Sequence, residues 1–370
     1  MPQDRFCFEI LDHFEVEEVK GTGTSPSNRI AEAQGEHDRC ASDALESFCT
    51  SPRQSVHLEE IECPFCGNKS SNIVIEEEGY QCRKCHRCSL IYLSPRPSLP
   101  EIQKLYGSGR ANRSAEAGIL GFFSRRVHER HHLRIVKKFI KKGSLLEIGA
   151  GAGSFLYEAR KGGFEVSGID LNNIQASFIR KRLGICCEES PLSVSSFGGK
   201  KFDIIYHRDV ISHFYDPIEE FKKINDRLEN DGFLVFETGN LGDVREKYYK
   251  LFTRFQLPDH LFFFAEKNLE ELLRRTGFEW VEAYRYSEVP LLWVMKILRR
   301  AIDLTVSRGE RKNLQKSHTA PLKRNGFSLS WLARNAFNYF TYIMLYKIGC
   351  VMPKRGRPQS LLMVARKRRG

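Results

Sequence analysis

The sequence predicts an α/β protein built on one doubly wound, mostly parallel sheet, and three observations point there. Strand-like and helix-like patterns alternate between Ser144 and Ser287. The first of these strands runs into a turn with three alternating glycines and then a helix. No internal repeat occurs, and no apolar run reaches the length of about eighteen residues that spans a bilayer. Alternation of this kind buries a sheet between two layers of helices.

The elements follow in order. Residues 1–60 carry 5 Lys and Arg against 13 Asp and Glu, are rich in Ser, Thr and Gly, and read as a mostly disordered acidic segment. Acids inside the first apolar stretch argue against a signal peptide, which gives an expectation of a cytoplasmic protein. A cysteine-dense module spans 61–97, and a helical linker covers 98–143, its pattern GILGFFSRRVHERHHLRIVKKFIKKG closing at Gly143. His128, His131 and His132 recur there at helical spacing with no carboxylate motif, which suits a solvated or interface face better than a metal site. The core at 144–289 then reads as strand 144–149, helix 154–163, strand 164–171, helix 172–184, strand 185–189, strand 201–207, helix 216–232, strand 232–239, helix 266–278 and strand 279–286. Residues 290–358 form a basic, apolar helical insertion or cap, and 359–370 a last strand with a basic tail.

LLEIGAGAGSF (145–155) carries the chemistry. Glycine costs backbone entropy, so Gly149, Gly151 and Gly153 imply either a tight turn or a backbone that passes close to a ligand. The carboxyl edge of an open parallel sheet is where such ligands bind. The spacing is GxGxG, with Ser154 where a dinucleotide fingerprint has its third glycine, and no Gly-Lys-Ser/Thr follows to grip phosphate. Glu147 precedes the loop, where a carboxylate repels pyrophosphate and can receive a cationic amine. Asp170 ends the second strand, where it can accept from ribose hydroxyls. Ribose and a positive centre without phosphate describe S-adenosylmethionine.

These residues resemble the class I S-adenosylmethionine-dependent methyltransferases. Glu147-x-Gly149-x-Gly151-x-Gly153 is similar to that family's first motif and Asp170 to its ribose-binding acid. FDIIYHRDVISHFYDP (202–217) resembles the fourth-strand segment, with Ser212-His213 where Glu-His is usual. LENDGFLVFETGN (228–240) and PDHLFFFAEKNLEELLRRTGFEWVEA (258–283) resemble later segments, the second as in small-molecule and glycan-type members, including relatives of the ubiquinone-biosynthesis enzymes. The resemblance implies a seven-stranded Rossmann-like methyltransferase sheet, with the insertion placed before the last, antiparallel strand. It implies a cofactor site of Glu147, Gly149, Ala150, Gly151, Gly153, Asp170 and Leu171, with His207 and Asp209 lining its methionine part. His213 after the fourth strand and His260 after the fifth are the candidate catalytic bases, because histidine titrates near neutral pH.

CPFCG pairs Cys63 with Cys66, and CRKCHRC offers Cys82 with Cys85 or Cys85 with Cys88. Two such knuckles give a closed four-thiolate zinc site, structural because no position stays open. The segment CHRCSLIYLSPRPS resembles the zinc-ribbon-like leader of bacterial-type methyltransferases, which favours Cys63, Cys66, Cys85 and Cys88, with Cys82 or His86 as competitor and Ser89 where glycine is usual.

Residues 290–370 carry 18 Lys and Arg against 2 Asp and Glu, more than the whole chain's net +12. Such a segment prefers an anionic partner, and an anionic membrane surface contacted through 290–358, peripherally, is one reading. The expected reaction is methylation of a small-molecule, lipid-linked or glycan acceptor, on oxygen or nitrogen sooner than carbon. Two alternatives stay open: an RNA methyltransferase gripping phosphates with the zinc module and basic segment, and a non-catalytic zinc-ribbon binding protein. The absence of Asn/Asp-Pro-Pro-aromatic and Pro-Cys motifs counts against nucleic-acid base chemistry.

Overall fold

In the computed structural model, the described residues are 57–294 and 329–369, except 107–108, 195–196, 253, 288, 293 and 353–355. The acidic segment through residue 56, and 295–328 of the basic insertion, lie outside them.

The module opens with β1 (Leu58–Glu59), β2 (Ser71–Glu77), β3 (Tyr80–Cys85), β4 (Ile91–Leu93) and β5 (Arg96–Pro97). Three helices follow: α1 (Leu99–Tyr106), α2 (Gly109–Leu120) and α3 (Phe122–Phe139). The single long helix expected here is interrupted at Gly121, the residue least committed to helix.

The core then builds β6 (Ser144–Ile148), α4 (Ser154–Lys161), β7 (Glu165–Ile169), α5 (Asn173–Phe178) and β8 (Cys186–Glu188). It continues with β9 (Phe202–Arg208), α6 (Pro217–Asp226), β10 (Leu228–Gly239), β11 (Phe262–Phe263), α7 (Glu266–Arg275) and β12 (Phe278–Ser287). α8 (Leu329–Ile343) and β13 (Gln359–Lys367) close the chain. Helix starts are set locally. Asp216, before Pro217, accepts from the amides of Ile218 and Glu219, and Asn172 does the same for Ile174 and Gln175. Each such cap is worth ~1 kcal/mol.

Seven strands form the main sheet in the order β12-β13-β10-β9-β6-β7-β8. The pairs from β10 through β8 are parallel, and β13 runs antiparallel between β10 and β12. The sheet is therefore the expected Rossmann-like one. β6 is buried on both faces from Leu145 to Ile148, which is why it reads as an apolar run without alternation. β10 starts at Leu228, four residues before the strand expected from the sequence, because an irregularity between Leu228 and Phe233 absorbs Asp231 and Gly232.

The cysteine module is not a free-standing leader. β11, drawn from the methyltransferase core, pairs antiparallel with β4 and completes a four-stranded sheet β11-β4-β3-β2. Phe65, Leu90, Tyr92 and Leu93 share one hydrophobic core with Leu261, Phe262, Phe264 and Leu269.

Among the three linker histidines, His132 is fully buried, its ring nitrogens 2.7 Å and 3.1 Å from the hydroxyls of Tyr206 and Tyr346. His131 lies 2.8 Å from the Tyr286 hydroxyl. Of the two expected settings, the structure selects interface over solvent: α3 packs these rings against the sheet, at central β9 and edge β12, and against the segment after α8. Burial pushes the imidazoles of His131 and His132 down to about 3 and that of His128 to about 4.

Candidate active site and cysteine cluster

The glycine loop leaves β6 at the carboxyl edge of the sheet. Gly149, Gly151 and Gly153 all have left-handed backbones, at φ 67°, 57° and 74°. A Cβ at Gly149 would stand 2.5 Å from Val210 Cγ2, and one at Gly153 2.8 Å from Ile179 Cγ1. Those two glycines are thus required by packing. At Gly151 the nearest atom is Gln175 Nε2 at 4.0 Å, so only its backbone angle demands glycine. The loop is tied to its neighbour strand, with the amides of Gly149 and Ala150 donating to the Ile169 carbonyl at 2.8 Å and 3.1 Å.

Asp170 follows the end of β7 beside this loop. Its two carboxylate oxygens accept from the amides of Gly151 and Asn172, each at 2.8 Å. Burial nonetheless dominates and pushes its carboxyl up to about 6, the two amides offsetting part of the shift.

A cleft of about 900 Å³ opens on this edge. Of the residues anticipated from the sequence, Gly149, Asp170, Leu171, Asp209 and His213 line it. Its walls also include Asn172, Gln175, Tyr215, Glu219 and, from α2, Ala111 and Ser114. Asn172, read from sequence only as the first residue of helix 172–184, is its N-cap, and the Asn at the head of NNIQ is the signal that could have found it. The α2 residues were not legible, since an amphipathic pattern does not reveal which helix folds over which edge. Asn172 Nδ2 donates to Asn112 Oδ1 at 3.1 Å, tying α2 to the cofactor edge.

Three anticipated side chains lie elsewhere. Glu147 is buried beneath the loop and does not line the cleft. The Leu156 amide faces its carboxyl, and Oε2 has no hydrogen-bond partner among the described residues. Burial, then the neighbouring Glu129, holds this carboxyl well above the ordinary range. Glu129 in turn accepts from Ser154 Oγ at 3.0 Å and Arg208 at 2.8 Å. The two acids read from sequence as sharing one cleft therefore occupy two levels, and of the anticipated acids the one that joins Asp170 on the cleft wall is Asp209. Its carboxyl is pushed up to about 6 by the protein packed around it and by Glu237.

His207 also points away. Strand alternation sends Tyr206 toward α3 and His207 to the opposite face, where its ring stacks on Phe236 at 5.1 Å between Phe214 and Phe221. Both its nitrogens lack partners among the described residues, and burial pushes its pKa down to about 3.

His260 stands behind His213, ring centroids 4.7 Å apart, and does not line the cleft. Burial, then His213, pushes its imidazole down to about 4. His213 Nδ1 lies 2.9 Å from the Asp259 carbonyl oxygen. A carbonyl can only accept, so the neutral imidazole carries its proton on Nδ1 and presents Nε2 as the acceptor.

The cysteine cluster is compact. One ligand atom from each of Cys63, Cys66, Cys85 and Cys88 lies within 4.8 Å of the others, with Sγ pairs at 3.4 Å and 3.5 Å. Zinc–sulfur bonds of about 2.3 Å give tetrahedral edges of about 3.8 Å, so the donor set fits zinc. Each pair sits on a tight turn, with Gly67 donating to Cys63 O and Ser89 to Cys85 O. Ser89 adopts φ 63°, the left-handed angle for which glycine is usual. A hydrogen bond from Cys63 pushes Cys88 down to about 5, while Cys63 itself is pushed up. Cys82 is buried in β3 outside the cluster, and both ring nitrogens of His86 are engaged by Ser70 and Asn72.

The parallel sheet with its antiparallel β13 and the glycine loop after β6 are consistent with the Rossmann-like fold of the class I S-adenosylmethionine-dependent methyltransferases. Residues 123–283 match the family described as "Methyltransferase domain". Among curated proteins, the chain is similar to the ubiquinone biosynthesis O-methyltransferase of Ruegeria pomeroyi, 25% identical over 186 residues, covering 44% of this chain and 70% of that one. It is also similar to YqeM of Bacillus subtilis, 24% identical over 116 residues, covering 29% of this chain and about half, 47%, of that one. Among solved structures, Haemonchus contortus phosphoethanolamine N-methyltransferase 2 in complex with S-adenosylmethionine is similar at 16% identity and a TM-score of 0.45, covering 75% of this chain and 63% of that one.

Proposed function

We propose that this chain transfers the methyl group of S-adenosylmethionine to a hydroxyl or amine of a small-molecule, lipid-linked or glycan acceptor. The observation that carries the reading is Asp170, clasped by the amides of Gly151 and Asn172 at the rim of the cleft. Each carboxylate oxygen accepts one amide and keeps a second lone pair, which suits vicinal ribose hydroxyls. Gly149, Gly151 and Leu171 flank that position, and Asp209 is the carboxylate for an ammonium group. Ala150 and Gly153 shape the loop, and Glu147 sets its underside.

S-adenosylmethionine supplies, when bound, an already activated sulfonium methyl group. The chain's own residues then have to orient the acceptor and exclude water, effects worth roughly 7–11 kcal/mol in favourable cases. His213 takes the acceptor's proton on Nε2, its ring orientation fixed through Nδ1. His260 backs that ring as a positioning residue.

The cleft walls favour a neutral or cationic acceptor. Asp209, Asp216, Glu219, Glu220 and Asp259 line them against a single lysine, Lys223, itself paired with Glu220 at 2.6 Å. A phosphate-rich strand meets like charge there, which weighs against RNA as the acceptor. In this reading zinc fills the four-cysteine cluster as a structural ion. The basic segment meets an anionic lipid surface through side chains such as Val351, 78% exposed, and Tyr339, 55% exposed. Among the described residues no helix is long and apolar enough to cross a membrane.

Titration calorimetry with S-adenosylmethionine tests the reading. Saturable one-site binding is expected, abolished or strongly weakened in Asp170→Ala. No binding to the wild-type chain would refute it.

A further inference from the structure

We propose that metal loading of the four-cysteine cluster sets the geometry of the acceptor-side base, His213, and leaves the cofactor side untouched. The inference rests on the assignment of His213 to the acceptor, but its test does not require turnover.

A short relay of main-chain bonds joins the two places. β4 lies between the metal-binding β3 and the methyltransferase strand β11. Cys82 pairs with Leu93 on one side, and Tyr92 with Phe262 on the other. The Leu93 amide donates to the Leu261 carbonyl at 2.9 Å, and the Leu261 amide donates to the Ser212 carbonyl at 2.8 Å. Ser212 is the residue before His213, and two residues before Leu261 stands Asp259, whose carbonyl holds His213 Nδ1. The ring's partner and the ring's own backbone are thus both anchored through Leu261 to a strand that starts three residues after Cys88.

Two further ties reinforce the relay. Glu77 of β2 accepts from the amides of Phe255 and Leu257 at 2.9 Å and 2.8 Å, pinning the start of the same segment to the module. On the other side, Asn268 Nδ2 donates to the Cys88 carbonyl at 2.8 Å. The glycine loop is held differently. The amides of Gly149, Ala150 and Gly151 donate to Ile169 and Asp170, in parallel strands remote in sequence from the module.

Without an ion to gather them, the four cysteines on two turns are held together only by weak sulfur contacts, so metal binding contributes directly to the order of these turns. Releasing the turns loosens β3 and β4, and through them residues 258–263. His213 then loses the carbonyl that fixes its tautomer, while Asp170 and its amides keep their places.

The experiment uses the full chain, zinc-loaded and then stripped with a chelator, metal content being measured in both forms. Hydrogen exchange is read at 211–213, 258–263 and 149–153, and S-adenosylmethionine affinity by calorimetry. Stripping is expected to speed exchange at the first two segments by about tenfold or more and to leave the third unchanged. Cofactor affinity should stay within about twofold, a change of less than half a kcal/mol. Unchanged exchange at 258–263 overturns the proposal. So does a uniform acceleration that includes 149–153, because the metal would then hold the entire fold. A zinc-loaded Glu77→Gln chain gives a second test without stripping: exchange at 255–261 should rise with metal content unchanged, and no rise overturns the relay. Failure of the loaded wild-type chain to bind cofactor would instead refute the function proposed above.

Discussion

Replacing Asp170 by Asn separates what this carboxylate costs the fold from what it gives the site. Its carboxyl is raised from 3.8 to about 6. Two pH units are worth ~3 kcal/mol, so holding Asp170 ionised inside the fold costs about that much at neutral pH. The sign follows from proton binding. Between pH 4 and 6 the folded chain holds a proton that the unfolded chain has released, so wild-type stability falls as pH rises through this window and levels off above it. The asparagine in the Asp170→Asn chain does not titrate. Its amide offers one acceptor oxygen to two donors, so either Gly151 or Asn172 loses its partner at ~1–3 kcal/mol, the same at every pH. The two effects nearly cancel at pH 7.5, where the variant is expected to be about as stable as wild type. At pH 4 the wild type regains its advantage, and the stability difference should swing by ~2–3 kcal/mol across the window. Urea unfolding at half-unit pH steps measures this swing, with the wild-type curve subtracted so that other groups drop out. Cofactor affinity should fall about ten- to a hundredfold at pH 7.5, as expected for losing hydrogen bonds to a charged acceptor, and by less below pH 6, where the wild-type carboxyl is itself protonated. Parallel stability profiles from pH 4 to 7.5 would refute the claim that burial governs this carboxyl.

Gly149→Ala drives a methyl into Val210 at a left-handed backbone angle and should cost ~2–4 kcal/mol in chemical denaturation, whereas Gly151→Ala should cost only ~1–2 kcal/mol of backbone strain; equal losses would contradict the packing described. His213→Gln should lower turnover by about 10²–10⁴-fold with cofactor affinity unchanged, and an unaltered pH–rate profile would remove the residue from proton transfer. His207→Leu should leave cofactor affinity intact. Because the buried imidazole resists protonation, it makes wild-type stability fall as pH drops below about 6.5, and the variant should lose this residue's share of that acid sensitivity while the other buried imidazoles, such as His131 and His132, keep theirs; a drop in affinity would place the side chain in the site after all. Cys85→Ser should abolish zinc binding by metal analysis while Cys82→Ser retains it, and the reverse result would exchange the two ligands.

The sheet was legible because its cause is local. LLEI buries both faces of one strand, and GAGAG can follow it only as a left-handed turn, so period and punctuation together define β6 and the loop after it. The Cys63–Cys66 pair was legible for the same reason, but the second pair was not, since Cys82-x-x-Cys85 and Cys85-x-x-Cys88 have the same spacing and only the resemblance favoured the latter. What sequence spacing could not give was the direction of a side chain once strands stack. Glu147 and Asp170 look equivalent, each acidic and each at a strand end. Yet Glu147 lies one residue inside the end of β6 and is carried under the loop, while Asp170 follows the end of β7 and reaches the rim. The register pairs Glu147 with Gly168, two positions before Asp170, so alternation alone would give both acids the same face; what separates their roles is that one lies inside its strand and the other past the strand's end, where the chain turns. His207 and Asp209 illustrate the same rule on β9. His207, still inside the strand, enters the aromatic core, and Asp209, just past it at φ 55°, turns into the cleft. The pairing of β11 with β4 was illegible for a different reason. Phe262 and Phe263 form a two-residue strand whose partner is some 170 residues earlier, and only the shared core with Leu90, Tyr92 and Leu93 makes that contact favourable. Function in this chain is therefore decided less by which residues its motifs contain than by where each strand ends.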